Sequence, residues 1–396
     1  MKNTQKTVFV GVSGGVDSSV ACVLLKEQGY NVVGVFIRTW TPDFIECTWR
    51  DERRDAMRVC AHLSIPFLEC HAEESYKKGV ADYIIEEYKK GRTPNPDVMC
   101  NREVKFGTFW DFAKKNGADF IATGHYTMIS NSESSNSSRK VTGLNVNTWN
   151  ISETEADEPS RGRRIFQQKN ICDWVYLMKR GVDPSKDQSY FLWTLTQEDL
   201  SHTLFPIGHL NKSKVRKLAK KYKIPTATKK DSQGVCFLGP LDMKDFLKHY
   251  IESKKGDVLN EDGEVVGYHE GSVFFTLGER KGFTITKKTG NEKPFYVVNK
   301  DVSKNTITVS TDPNLSKKGE NDVYDLISTN WNLGLPDPKK VYSAQIRYHG
   351  EFLNCKIFPT SPTGGKVVFE KNILVAGGQS IVVYDEDICL GGGIVE

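Results

Sequence analysis

Glycine and serine residues follow an apolar run near the N-terminus, in the stretch Val8–Ser19 with the sequence VFVGVSGGVDSS. The apolar run predicts a strand, and the pattern at Val20–Glu27 predicts a helix. A tight turn between them presents the free N–H groups of the helix N-terminus to an anion. Gly11, Gly14 and Gly15 let the backbone approach a phosphate closely, and the serine hydroxyls add donors. The stretch therefore predicts a phosphate-binding loop, with an ordinary glycine-rich turn as the alternative.

The turn does not end in Lys-Ser or Lys-Thr, so it differs from the GxxxxGK[ST] loop used for γ-phosphate transfer. Its SGGVDS core resembles the pyrophosphate loop of ATP pyrophosphatases. That resemblance implies adenylation of a substrate with release of pyrophosphate.

A cysteine with charged neighbours lies in the stretch Arg92–Phe106, RTPNPDVMCNREVKF. Two prolines disfavour a helix up to Pro96, so Cys100 is expected to follow a rigid, exposed turn. Arg102 and Lys105 follow it, and nearby cations lower the pKa of a thiol and favour the nucleophilic thiolate. We interpret Cys100 as functional, with a buried structural thiol as the alternative.

A second cysteine, Cys236, lies 136 positions further on in KKDSQGVCFLG, after a turn of small residues. Two lysines, Lys229 and Lys230, precede that turn. If both cysteines reach one site, one can carry sulfur and the other can resolve it. A nucleotide kinase or ligase needs neither thiol.

The elements that position these residues alternate between strand and helix through the first half of the chain. Strands are predicted at residues 8–12, Asn31–Arg38, Ile65–Cys70 and Asp119–Thr123. Such alternation predicts an α/β fold with a parallel sheet and helices on both faces. Ligands bind beyond the carboxyl ends of such strands, where the loop, Ile37–Trp40 and Gly124–Tyr126 all fall.

The length and net charge of the chain limit its number of domains and its classes of partner. The 396 residues are enough for two or three domains, and a net charge of +4 is compatible with a polyanion partner without establishing one. No apolar run approaches a membrane span, and the N-terminal MKNTQKT lacks the apolar core of a signal peptide. We expect a cytoplasmic protein that does not bind a membrane.

The nine cysteines include no CxxC pair, and their odd number argues against a disulfide scaffold. Cys47, Cys60, His62, Cys70 and His71 match no standard zinc spacing. We therefore predict no metal centre built from protein side chains.

Changes in composition predict three domains. Ser130–Arg164 is rich in Ser, Asn and Glu, which predicts a flexible insertion without chemistry. From Lys255 onward, short alternating segments predict strands, and Asp312–Lys318 is typical of a linker. The last strands are short enough to need closure into a small β-barrel. The predicted domains are 1–240, 241–313 and 314–396.

Six motifs extend the resemblance over nearly the whole chain, apart from Ser130–Arg164. SGGVDSS, TPNPDVMCNREVKF, ATGHY, KDQSYFLW, DSQGVCF and TLGERKGF occur in the order found in bacterial tRNA-specific 2-thiouridylases. These enzymes belong to the pyrophosphate-loop ATP pyrophosphatase superfamily. The resemblance implies an adenine nucleotide α-hydrolase-like domain, a small β-rich central domain and a C-terminal barrel that helps to hold tRNA.

The resemblance also implies the reaction. ATP, with Mg²⁺ as the expected counterion, adenylates O2 of the wobble uridine at tRNA position 34. The target base is extruded from the anticodon stack. A persulfide on Cys236 supplies the sulfur, giving 2-thiouridine, AMP and pyrophosphate. The sulfur reaches the activated carbon either directly or as hydrosulfide after reduction by Cys100, the expected nucleophile. In the direct route a Cys100–Cys236 disulfide forms as AMP leaves. Asp97 is the expected general acid/base.

The resemblance also implies the binding residues, which are assigned to this sequence position by position. The ATP site is expected to contain Gly11, Val12, Ser13, Gly14, Gly15, Val16, Asp17, Ser18, Ile37 and Gly124. The tRNA site is expected to contain Asn95, Pro96, Asp97, His125, Lys186, Asp187, Gln188, Arg347, Tyr348 and Gln379. Ile37 falls where relatives often have methionine, and an apolar wall of similar length is kept. The expected partners are the anticodon loop of tRNA and a persulfide donor protein or cysteine desulfurase.

Three alternatives stay open at this point. An ATP pyrophosphatase that amidates or ligates a small molecule would share the loop but not need the two cysteines. A tRNA-binding protein could use ATP only as a structural ligand. An organellar homologue is disfavoured by the absence of an Arg-rich leader.

Overall fold

The structure is a computed structural model that describes residues 5–45, 49–133, 174–231, 234, 236–237, 242–286, 293–312 and 322–396. The predicted insertion Ser130–Arg164 lies outside these ranges apart from its first four residues, and Cys47 lies outside them as well.

The first domain is built on a five-stranded parallel sheet with the strand order β3-β2-β1-β4-β7. Its strands are β1 Thr7–Gly11, β2 Asn31–Arg38, β3 Phe67–His71, β4 Phe120–Ala122 and β7 Thr203–Leu204. The apolar runs of β1 and β2 are buried because both faces of a parallel sheet are covered. Strand β7 was not predicted, because a strand of two residues is too short to show an alternation of apolar and polar side chains.

Helices cover both faces of this sheet, as predicted. One face holds α1 Val16–Glu27, α2 Trp49–Leu63 and α8 Lys212–Lys221 around one apolar core. The other face holds two long helical stretches in a second core. The first runs through α3 Glu73–Tyr76, the π-helical Lys77–Asp82 and α4 Tyr83–Lys89. The second runs through α5 Pro96–Cys100, the π-helical Asn101–Thr108 and α6 Phe109–Lys115, and α7 Gln197–Ser201 precedes β7.

The central domain is small and mostly β. After α9 Met243–Lys248 come β8 Gly256–Leu259, β9 Val265–His269, β10 Phe283–Ile285, β11 Tyr296–Asp301 and β12 Thr306–Ser310. They form one sheet in the order β10-β9-β8-β12-β11 over a compact apolar cluster.

The C-terminal strands close into the predicted barrel. They are β13 Val323–Trp331, β14 Tyr342–Gln345, β15 Leu353–Ser361, β16 Gly364–Phe369, β17 Ser380–Asp385 and β18 Ile388–Val395. Pairing of β13 with both β16 and β18 completes the ring, which leaves no open edge among these six strands.

A hairpin from the first half of the chain extends this barrel sheet. Strands β5 Thr127–Glu133 and β6 Trp174–Arg180 pair along their whole length, and Lys179 of β6 pairs with Ile388 of β18. The predicted domain 1–240 therefore contributes two strands to the sheet of the third domain.

Thr93 lies where the three domains meet. Its N–H donates to the Gly377 carbonyl at 2.7 Å, and its carbonyl accepts from Gln379 Nε2 at 2.6 Å. Its hydroxyl lies 3.1 Å from that of Thr276 in the central domain. The barrel thus docks on the segment that leads into α5.

We expect Gly378→Ala to weaken this docking. Gly378 has a φ of +89°, and a Cβ there would stand 3.0 Å from the Thr93 backbone. Gly334→Ala is the matched control, because Gly334 has a φ of +86° with nothing within 4 Å of an added Cβ. Both variants are expected to lose about 1 kcal/mol of unfolding free energy, because alanine is strained in the left-handed backbone conformation. The close contact with Thr93 is expected to cost Gly378→Ala about 1–3 kcal/mol more. Denaturant unfolding measures both losses; equal stability of the two variants would contradict a tight contact at Thr93.

Candidate active site

The phosphate-binding loop joins β1 to α1 at the carboxyl end of the central strand of the sheet. Gly14 has a φ of +70°, which glycine tolerates. The N-cap of α1 is Gly15, and no side chain caps that end of the helix. Ser18 and Ser19 direct their hydroxyls to the Gly15 carbonyl, at 3.3 and 2.7 Å. The uncapped N–H groups can therefore bind an anion, which is the chemistry predicted for this loop.

Two more residues of the predicted ATP site lie beside the loop. A Cβ on Gly124 would stand 2.7 Å from the backbone nitrogen of Ser18, so glycine lets the end of β4 approach α1. Ile37 is 7% exposed and lies beneath the loop, next to Gly11. Both residues adjoin the loop, and their contact with adenosine stays a prediction.

The structure brings Cys100 and Cys236 together. Cys100 lies close enough to Cys236 to raise the pKa of its thiol. The N–H of Cys236 donates to Asp97 Oδ1 at 3.0 Å, and the Tyr76 hydroxyl donates to the Cys236 carbonyl at 2.8 Å. Lys105 Nζ lies 3.5 Å from Cys236 Sγ. The first domain therefore assembles two thiols, a carboxylate and an ammonium group in one place.

Local sequence explains how α5 presents Asp97 and Cys100. Asn95 Oδ1 accepts from the backbone N–H groups of Asp97 and Val98 at 3.1 and 3.3 Å, which caps the helix. Pro96 occupies the first turn, where a missing N–H costs nothing. Asp97 and Cys100 are three positions apart, so they share one helix face.

The prediction that Cys100 follows an exposed turn was wrong. Its side chain is 0% exposed, because the prolines start a helix that packs into the core. Of the two expected cations, Arg102 is exposed and pairs with Glu103 at 2.7 Å. Lys105 is the cation beside the sulfur atoms, and it contacts Cys236.

The surroundings keep the Cys236 thiol protonated. The hydrogen bond with Cys100, burial and the Asp97 carboxylate together raise the pKa of Cys236 well above its usual range, although Lys105 opposes them. Burial disfavours the charge of Lys105, yet the two sulfur atoms and Asp97 raise its pKa. Burial and Lys105 lower the pKa of His125, so its imidazole is neutral. A reactive thiolate therefore requires a change in these surroundings.

Four residues of the predicted tRNA site lie on or near the end of β4. His125 is 7% exposed and lies 2.7 Å from the Thr123 hydroxyl. Gln188 Oε1 accepts from the N–H of Tyr126 at 3.1 Å. Lys186 Nζ donates to Asp231 at 2.9 Å.

Asp187, the fourth of them, is 7% exposed, and its carboxylate accepts from Arg180 Nε at 3.2 Å and from the N–H groups of Gly181 and Ser189. These hydrogen bonds to Asp187 stabilise the turn that precedes Ser189. Contact of Asp187 with tRNA stays a prediction, as it does for its three neighbours in the predicted site.

The barrel residues of the predicted tRNA site are spread over its side nearest the first domain. Tyr348 packs on Phe191 with ring centroids 4.4 Å apart, and the Arg347 side chain is exposed. Gln379 is held at the domain junction by its bond to Thr93.

Four residues that surround Asp17 and the Cys236 segment were not predicted from the sequence. Tyr126 donates its hydroxyl to Asp17 at 2.7 Å, and Lys212 Nζ lies within 2.8 Å of both Asp17 and Asp231. Tyr76, the fourth, holds the Cys236 segment. Asp231 and Tyr126 could have been found, since they belong to the DSQGVCF and ATGHY motifs. Lys212 and Tyr76 are brought in by pairings over long sequence distances and leave no local signal.

Within the described ranges, no helix is long and apolar enough to cross a membrane. No group of three or more His, Cys, Asp or Glu side chains that could hold a metal ion occurs among the same residues.

Family models match most of the chain. The tRNA methyl transferase HUP domain covers residues 6–148 and 160–240, and the tRNA methyl transferase PRC-barrel domain covers 244–311. The aminomethyltransferase beta-barrel domain covers 324–395. The chain is 38% identical to the tRNA-specific 2-thiouridylase MnmA of Halalkalibacterium halodurans, over 99% of this chain and 95% of the relative. It is 39% identical to that of Idiomarina loihiensis, over 100% of this chain and 97% of the relative.

The chain belongs to the tRNA-specific 2-thiouridylase family. This confirms the family, its enzyme class and the three-part fold predicted from the motifs. Among solved structures, an NMN synthetase from Francisella tularensis matches with a TM-score of 0.32 at 12% identity, covering 61% of this chain and 72% of that one. We draw no functional conclusion from that weak similarity.

Proposed function

We propose that this chain catalyses ATP-dependent 2-thiolation of the wobble uridine of tRNA. The names of its relatives and the HUP-domain match support tRNA as the substrate and ATP as the activating nucleotide. The observation that carries the proposal is that Cys100 and Cys236 lie side by side, next to Lys105, in the domain that holds the phosphate-binding loop. A ligase or amidating enzyme with the same loop has no use for that pair.

The first step activates the base. O2 of the uridine attacks the α-phosphorus of ATP, and the bond to the β-phosphate breaks, so that pyrophosphate leaves with the bonding electrons. In this proposal, the N–H groups at the start of α1 and the hydroxyls of Ser13 and Ser18 bind the departing pyrophosphate, and Ser18 gives up its bond to the Gly15 carbonyl. The product is a uridine whose oxygen at position 2 is esterified to AMP.

The second step transfers sulfur. The terminal sulfur of a persulfide on Cys236 attacks C2 of the activated base, and AMP leaves. The Cys100 thiolate then attacks Cys236 Sγ, which releases the 2-thiolate of the product and leaves a Cys100–Cys236 disulfide. An external thiol reductant must reduce that disulfide before the next turnover. In the alternative order, Cys100 first releases hydrosulfide from the persulfide, and hydrosulfide attacks C2.

Proton transfer at this site falls to Asp97, whose carboxylate is already bound to the Cys236 backbone. The Lys105 ammonium beside Cys236 Sγ favours the thiolate. The expected partners are the anticodon loop of tRNA and a protein that supplies the persulfide.

Among the described residues beside the phosphate-binding loop, little is offered to Mg²⁺. Both oxygens of Asp17, in the first turn of α1, accept from Lys212. Mg²⁺ as the counterion of ATP stays a prediction, and no step is assigned to it.

The test is incubation of the protein with ATP, a persulfide-loaded cysteine desulfurase and unmodified tRNA, followed by mass spectrometry of the nucleosides. We expect 2-thiouridine, AMP and pyrophosphate in equal amounts, and none with tRNA that carries cytidine at the wobble position. Pyrophosphate release without tRNA, or no 2-thiouridine from an active donor, would contradict the proposal.

A further inference from the structure

A chain of hydrogen bonds crosses from the first domain into the barrel. The Ser189 hydroxyl donates to Asp187 Oδ2 at 3.1 Å, and it lies 3.2 Å from the hydroxyl of Tyr384 on β17. The Tyr384 hydroxyl donates to Gln345 Oε1 at 3.2 Å, and Gln345 Nε2 donates to the Gly350 carbonyl at 3.0 Å. The four side chains of this chain of bonds are buried, so water does not weaken the bonds between them.

Each end of the chain of bonds lies in a turn that carries residues of the predicted tRNA site. Asp187 lies between Lys186 and Gln188 in the first domain. Gly350 closes the barrel turn that begins at Arg347, because its N–H donates to the Arg347 carbonyl at 3.0 Å. The chain of bonds therefore links two parts of the predicted site that belong to different domains.

The turn in the first domain is firmly held. Asp187 Oδ1 accepts from the N–H groups of Gly181 and Ser189, at 3.0 and 3.1 Å. Asp187 Oδ2 accepts from Arg180 Nε at 3.2 Å as well as from the Ser189 hydroxyl. Each carboxylate oxygen thus accepts two hydrogen bonds from its own domain, which fixes this end of the chain of bonds.

The turn in the barrel is less well supported by its own backbone. His349 has a φ of +57°, in the left-handed region that is strained for a histidine, and the Arg347 side chain is exposed. A strained, exposed turn opens readily unless buried groups hold it closed. Gln345, on the buried strand β14, supplies such a bond to Gly350, and Tyr384 orients the amide of Gln345.

Tyr384 is the residue at which the two domains meet in this chain of bonds. Its side chain is 0% exposed and packs edge-on against Phe352, with ring centroids 5.2 Å apart. Burial raises the pKa of Tyr384 well above its usual range, so the hydroxyl keeps its hydrogen at neutral pH. Removal of this one hydroxyl would separate Gln345 from Ser189 without removing the ring from the core.

We propose that Tyr384 is a positioning residue for tRNA. Its hydroxyl holds the turn of Arg347 and Tyr348 in place against the turn of Lys186 and Gln188, so that tRNA meets one preformed surface. When the barrel turn is already ordered, binding does not have to supply the free energy of ordering it. The inference rests on the proposed function, which makes tRNA the substrate.

The test measures the Kd of the full chain for unmodified tRNA, by fluorescence anisotropy at one salt concentration, and the rate of 2-thiouridine formation at saturating tRNA. Tyr384→Phe is expected to raise the Kd about fivefold, the factor that corresponds to one hydrogen bond. The rate at saturating tRNA and the KM for ATP should change less than about twofold, because the turn touches tRNA and not the reacting atoms. Ser189→Ala cuts the same chain of bonds from the first domain and is expected to raise the Kd similarly.

Tyr342→Phe is the matched control for loss of a buried hydroxyl. Tyr342 is 3% exposed in the same barrel, and its hydroxyl accepts from the N–H of Asp337 at 2.9 Å, in a loop outside both turns. Denaturant unfolding is expected to show similar losses of stability for Tyr342→Phe and Tyr384→Phe. Only Tyr384→Phe should weaken tRNA binding.

A double-mutant cycle with Arg347→Ala tests whether Tyr384 acts through the barrel turn. When Arg347 is already absent, Tyr384→Phe is expected to change the Kd for tRNA less than about twofold, because the side chain that it positions is gone. A purely structural effect on the barrel would persist in the Arg347→Ala background.

Equal Kd values for Tyr384→Phe and Tyr342→Phe overturn the positioning role and leave the proposed function standing. The same holds for a fivefold effect that persists without Arg347, or for a loss confined to the rate at saturating tRNA. Failure of the unaltered protein to bind tRNA overturns both the positioning role and the proposed function.

Discussion

Replacing Cys236 or Cys100 with alanine is expected to lower 2-thiouridine formation by more than about 10³-fold, because each thiol forms or breaks a bond to sulfur. The two variants should fail at different steps. Cys236→Ala has no place for the persulfide, so incubation with the donor leaves no labelled sulfur on the protein. Cys100→Ala still accepts sulfur on Cys236 but cannot cleave the bond between Cys236 Sγ and that sulfur, so no free 2-thiouridine is released. Protein mass spectrometry after donor treatment separates the two.

Cys355→Ala is the matched control for the cysteine variants. Cys355 is a free thiol, 0% exposed like Cys100, but it lies in the core of the C-terminal barrel. Its replacement leaves a cavity of the same size without touching the candidate site, so any loss of stability should be similar and any loss of activity small. Product formation at the unaltered rate by Cys100→Ala or Cys236→Ala would exclude sulfur transfer through this pair.

The second large effect is expected from Gly14→Ala in the phosphate-binding loop. A Cβ at Gly14 would stand 2.6 Å from Asp55 Cβ and 3.0 Å from the Ala56 nitrogen, so the loop must move. A displacement of about 1 Å of the groups that hold pyrophosphate is expected to lower kcat/KM for ATP about 10²-fold. Pyrophosphate release measured against ATP concentration gives this value.

Gly29→Ala separates the clash from the backbone cost. Gly29, just beyond α1, has a φ of +87°, close to the +70° of Gly14, but an added Cβ there meets nothing within 4 Å. Both variants carry the left-handed cost of about 1 kcal/mol in unfolding free energy. Only Gly14→Ala should lose activity. Equal activity of the two would mean that the loop does not need its close contact with α2.

Several sequence predictions depend on short-range patterns, and these agree closely with the structure. Strand β2 has the predicted bounds Asn31–Arg38, and β4 lies within one residue of the predicted Asp119–Thr123 at each end. The N-terminus of α1 was placed at Val20, four residues late, because Val16–Ser19 looked like part of the turn. Polar residues in a first helical turn are hard to separate from a loop by composition alone.

The prolines before Cys100 are compatible with two local structures, an exposed turn and the first turn of a helix. Proline disfavours the interior of a helix but suits its first turn. The sequence contains Asn95 immediately before Pro96, and that pair starts a helix when the asparagine side chain turns to cap it. The expected exposed turn became a buried helix because its apolar face, with Val98 and Met99, packs into the core.

By itself, the sequence determined the class of the protein: the strand, glycine loop and helix, the order of six motifs, and the presence of two cysteines. These are local or countable properties, and each follows from backbone preference and side-chain chemistry over a few residues. Only the tertiary structure decided that the two thiols meet, and that Lys105 lies at Cys236. It also decided that one ammonium group at Lys212 lies between Asp17 and Asp231. Most of these contacts join residues more than a hundred positions apart, and they depend on how the sheet and its helices pack, which no short stretch of sequence encodes.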